Sequence, residues 1–160
     1  MSDSSTHYEL SDQLTEALTA AGWSPERQVD TSSWARAVEA EGIPVSPVAH
    51  DFWQSFGGLK VLGRGRYKPP LELDPTEALH LWDPPERWES EYQQSFCPMG
   101  VWDSQNGLWV GDRGHVMIVF TEFHEREVAT SPMQALESLL VGEPGPWKRW
   151  LGSVSRRWNG

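Results

Sequence analysis

Five histidines, one cysteine and 23 acidic side chains are the groups in this sequence with chemistry to offer. His7, His50, His80, His115 and His124 are scattered along the chain. His124-Glu125-Arg126-Glu127-Val128 begins like the helix of a zinc protease, but Val128 stands where the second histidine ligand is needed. Cys97 is followed by Pro98 and has no histidine nearby in sequence to take its proton, so it reads as a small buried hydrophobe. Gly63-Arg64-Gly65 lacks the Lys-Ser/Thr element and the helix of a phosphate-binding loop. Asp83, Glu86, Glu89 and Glu91 crowd the start of one predicted helix, where exposed backbone amides stabilise carboxylates without any catalysis. The expectation is a protein that is not an enzyme and uses neither cofactor nor metal.

The elements that must position these groups fit one domain, since 160 residues bury a core of ordinary size and ten tryptophans add large apolar area. The N-terminus has no basic stretch leading into an apolar one, and no apolar run approaches the roughly 20 residues that span a bilayer. A single cysteine allows no internal disulfide and fits a reducing compartment, so a cytoplasmic protein is expected. The net charge of −10 opposes direct contact with nucleic acid and favours a basic partner. Residues 143–160 carry four basic side chains and one acidic one, about +3, which leaves about −13 on residues 1–142.

Helical spacing of Leu10, Leu14, Ala17 and Leu18 before Gly22 predicts a first helix; Asp30 or Thr31 caps a second that ends at Gly42. Ser46-Pro47 opens a third, with Ala49, Phe52, Trp53 and Phe56 on one face, stopped at Gly57-Gly58 before a strand over residues 59–62. Leu71 and Leu73 suggest a short strand ahead of an Asp74-Pro75 turn. Asp83-Pro84-Pro85-Glu86 predicts a fourth helix, with Asp83 as its cap, carrying Trp88, Tyr92 and Phe96. Strands follow over 99–102, 108–110 and 115–120, with an edge strand over 122–129. The 116–120 run, apolar on both faces, reads as central, and Ser131-Pro132-Met133-Gln134 opens a closing helix to Gly142. Helices, then antiparallel strands, then a helix define an α+β fold, with about four to six strands packed against N-terminal helices and a C-terminal helix. Residues 1–142 form the domain; 143–160 are a tryptophan-rich basic tail, whose Trp147, Trp150, Leu151, Val154 and Trp158 fall on one helical stripe and are expected to dock on the acidic body rather than on a membrane.

Trp82, Trp102 and Trp109 lie at turns or on strands, where alternation leaves one or two of them exposed. An exposed tryptophan beside Asp83, Asp103 or Asp112 has the make-up of an interface hot spot, so Trp82, Asp83, Trp102, Asp103 and Asp112 are the candidate partner contacts.

Residues 22–31 (GWSPERQVDT), Phe56-Gly57-Gly58-Leu59 and residues 134–140 (QALESLL) together resemble the SUKH superfamily, in particular its third immunity-protein branch. The likeness runs from Ala21 to Gly142. It implies an antiparallel sheet packed on helices, no cofactor or catalytic residue, and a role as antidote to a polymorphic toxin, often a nuclease or nucleic-acid deaminase. Phe56, Gly57, Gly58 and Leu59 carry over as a structural signature, and no toxin-contacting residue transfers by motif. Trp53 departs from the smaller aliphatic residue expected before the Gly-Gly corner. The expected partner is a cognate, basic protein toxin, bound by a monomer or weak dimer; a non-catalytic scaffold or regulatory module is the alternative.

Overall fold

The computed structural model describes residues 10–64, 69–81, 83–121 and 124–142. Helix α1 (Asp12–Ala20) starts where the Ser11 hydroxyl accepts from the Leu14 amide at 3.2 Å. The start of α2 (Ser32–Ala40) is held by Asp30, whose carboxylate accepts from the Ser32 amide and hydroxyl; those bonds hold its pKa below the usual carboxylate value. Ser46 caps α3 (Pro47–Phe56) through the Ala49 amide, and the proline at its first position lacks the amide that would otherwise go unpaired.

Strands β1 (Lys60–Leu62) and β2 (Pro70–Glu72) are followed by two helices, α4 (Pro75–Leu79) and α5 (Arg87–Tyr92). Then come β3 (Phe96–Trp102), β4 (Asn106–Gly111), β5 (Val116–Thr121) and β6 (His124–Ala129). Helix α6 (Pro132–Leu136) runs on into a π-helical turn, Glu137–Val141. The six strands form one open antiparallel sheet in the order β1-β2-β3-β4-β5-β6. This is the expected α+β class, at the upper end of the expected strand count.

Alternation along the strands feeds two cores. Leu108 and Val110 of β4 and Val116 and Ile118 of β5 point into a large core with α1, α3 and α6. Trp109, Met117 and Val119 point the other way, into a smaller core with Ala78 of α4 and Trp88 of α5. Because both faces are covered, all seven residues of β3 are buried.

That second cover accounts for several departures from expectation. Residues 116–120 sit next to the edge rather than at the centre of the sheet, and their two-sided apolarity reflects helices on both faces. Asp74-Pro75 opens a helix instead of a turn, with the Asp74 carboxylate accepting from Thr76. Helix α5 begins at Arg87 and not beside Asp83, since a residue preceding proline avoids the helical region and Pro84 precedes Pro85. It ends at Tyr92, with Gln93 left-handed at φ 55°, so Phe96 opens β3 instead of continuing the helix. The tail 143–160 lies outside the described residues.

Candidate binding surface

The Gly-Gly corner is held entirely from within. Arg27 donates to the carbonyls of Ser55 at 3.1 Å and Gly57 at 2.8 Å, at the C-terminal end of α3, where helix carbonyls lack partners. Its partial burial lowers its pKa from the ordinary guanidinium value by desolvation. The ring of Trp34 covers the two glycines so closely that a Cβ on Gly57 would fall 2.4 Å from it and 2.5 Å from the Trp53 carbonyl. Gly58 has φ +84°, and its amide donates to the Leu73 carbonyl at 2.8 Å. Trp23 stacks on Phe56 with centroids 5.8 Å apart. The unexpected Trp53 is fully buried and donates from Nε1 to the Pro98 carbonyl at 2.9 Å, beside the register shift between Pro98 and Gly100 of β3. In the third motif, the Glu137 carboxylate accepts from both the amide and the hydroxyl of Ser11, tying the C-terminal turn to the start of α1.

The foreseen partner contacts among the described residues do not form one patch. Trp102 is 3% exposed and packs in the large core, because helices cover both faces of the sheet and leave it no wet side. Trp109 is likewise buried, in the smaller core. Asp103 follows β3 at the β3–β4 turn, whereas Asp112 follows β4 at the opposite end of the same hairpin, on the order of 20 Å away along six residues. Asp112 is exposed, and its carboxylate accepts from the Ser95 amide at 3.1 Å. Asp83 is exposed ahead of α5, and Trp82 lies outside the described residues.

A different group of residues is brought together where the end of α5, the β4–β5 turn and β6 meet. Gln94 is 4% exposed, and its side-chain oxygen accepts from the Arg113 amide at 3.0 Å. Its nitrogen is 2.7 Å from His115 Nδ1, and with the amide so oriented it donates there, leaving the ring proton on Nε2. His115 Nε2 faces the Glu127 carboxylate at 3.6 Å, and the Tyr92 ring lies 5.6 Å from the imidazole. Arg87 bridges Glu91 of its own helix, at 3.3 Å, and Glu125 of β6. The Tyr92 hydroxyl has its pKa raised by partial burial first, and then by Glu127 and Glu91. Sequence reading puts Tyr92 on the core-facing side of the fourth helix, and it does pack, half-buried, against the smaller core; the sequence gives Gln94, His115 and Glu127 no contact role.

Among the described residues no group of three or more His, Cys, Asp or Glu is placed to hold a metal ion, and no helix is long and apolar enough to cross a membrane. Cys97 is buried, its thiol donating to the Pro44 carbonyl at 3.0 Å, and burial raises its pKa.

A helix-flanked antiparallel sheet is the α+β class that the resemblance to the SUKH superfamily implies. The family model of the SUKH-3 immunity proteins matches residues 10–142, and the chain belongs to that family. No curated protein and no solved structure matches it. Membership implies immunity against a toxin, hence a toxin as partner, and points to a non-enzymatic role.

Proposed function

We propose that this protein binds a cognate polymorphic toxin of the nuclease or nucleic-acid deaminase type in the cytoplasm and neutralises it by covering its working surface, acting as a monomer or weak dimer without cofactor. The observation that carries this reading is membership of an immunity-protein family across residues 10–142. Charge supports the choice of toxin class. An enzyme that grips phosphate backbones presents lysines and arginines, and a chain of net charge −10 is complementary to such a surface. Asp83 and Asp112, both exposed, remain contacts in this reading.

The test is co-expression with the toxin domain encoded beside the gene, together with isolation of the pair. Rescue of growth with a stoichiometric complex is the expected result. A verified, active toxin that neither binds nor is neutralised would remove the immunity reading and leave that of a scaffold or regulatory module.

A further inference from the structure

We infer that the α5–β6 edge is the surface that meets the toxin, and that Tyr92 with Glu91 and Glu127 receives a lysine or arginine side chain of that partner. The inference deepens the immunity reading and rests on it.

Five observations converge here. The sheet ends at β6, whose outer side carries no neighbouring strand among the described residues. Along this edge Glu125 and Glu127 of β6 lie beside α5 with Glu91, and Glu86 and Glu89 are also exposed at α5. The basic groups nearby are Arg87, already engaged by Glu91 and Glu125, exposed Arg113 in the β4–β5 turn, and Arg126 on β6. Glu127 is 41% exposed, and the imidazole of His115 beside it carries charge only when protonated. Tyr92, half-buried against Phe96 and His115, is near enough to Glu127 and Glu91 to feel both charges, so a cation drawn by the carboxylates also meets an aromatic ring.

The platform is also rigid. Gln94 locks the β4–β5 turn to the end of α5, and a Cβ on Gly111 would overlap its side-chain oxygen, so turn, helix end and β3 hold one arrangement. A preformed site gives up little conformational freedom on binding. A second copy of this chain is a poor occupant, because its charge has the same sign and β6 is irregular at both ends of its pairing with β5. A cationic partner meets neither obstacle.

The experiment measures the affinity of the full chain for the toxin domain encoded beside its gene, with thermal unfolding as the control for folding. Tyr92→Ala, and separately Glu91→Gln with Glu127→Gln, are expected to weaken binding at least about tenfold. Tyr92→Phe, which keeps the ring, should stay within about threefold. Glu16→Gln with Glu39→Gln removes the same charge from exposed positions on α1 and α2 and should also stay within about threefold. If the edge variants bind like the wild type, or the α1–α2 pair loses as much, the edge is overturned while the immunity reading stands. If the wild-type chain does not bind, the immunity reading fails and the edge falls with it.

Discussion

The Gly-Gly corner and the α5–β6 edge lie in one small protein and use their polar groups in opposite directions. At the corner, Arg27 is directed inward onto two carbonyls and Trp34 is pressed flat on glycine backbone. At the edge, one buried glutamine does the bracing, while Glu91, Glu127 and Tyr92 keep part of their surface in water. The Gly-Gly corner is thus spent on the frame, whereas the Glu91 and Glu127 carboxylates keep surface that a partner can reach.

The largest expected effect is at Gly57. In Gly57→Val the new side chain collides with a ring and with the Trp53 carbonyl, and backbone cannot swing aside, so loss of a cooperative unfolding transition by circular dichroism is expected. Gly58→Val should be milder, about 1–3 kcal/mol, because its Cβ would meet only ordinary contacts at 3.7 Å and the cost is that of a left-handed backbone. Equal losses at the two positions by urea titration would show that crowding by Trp34 is not what separates them. Arg27→Met removes two charge-assisted bonds and should cost about 1.5–3 kcal/mol in the same titration.

Edge variants sharpen the contrast from the other side. Glu91→Gln with Glu127→Gln should change stability by no more than about 0.5 kcal/mol, since both carboxylates are largely exposed. A destabilisation as large as that of Arg27→Met would mean that the edge, too, is framework. The smallest effect belongs to Asp30. Its carboxyl pKa is lowered in the folded protein, so its contribution is present above the unfolded value of 3.8 and lost as pH falls through the lowered folded one. Asp30→Ala should lower stability slightly at neutral pH, and its difference from the wild type should fade as pH falls through the lowered folded pKa, which a urea titration repeated across pH checks.

Much of the frame was legible in the sequence because its signals are local. Ser46-Pro47 and Ser131-Pro132 start helices by their own side chains, and Gly22, Gly42 and Gly142 end segments in left-handed conformations. Helix α4 escaped because five residues give too little periodicity to separate a helix from an Asp-Pro turn. Trp102 was misplaced because the sequence does not announce that a second pair of helices covers the far face of the sheet. The edge was illegible for a stronger reason. Tyr92, Gln94, His115 and Glu127 become neighbours only through strand register and the path of α5, and no local pattern encodes either.

The sequential strand order also has a kinetic meaning. Four of the five strand pairings join neighbours through short connections, the β2–β3 pairing alone waiting for the inserted helices, so the sheet can zip up by local closures at modest entropic cost. The bonds from Ser11 to Glu137 are of another kind, spanning 126 positions. During synthesis the local strand pairings can form as they leave the ribosome, while α1, capped by its own Ser11, must wait for its tie to Glu137 until residue 137 has emerged.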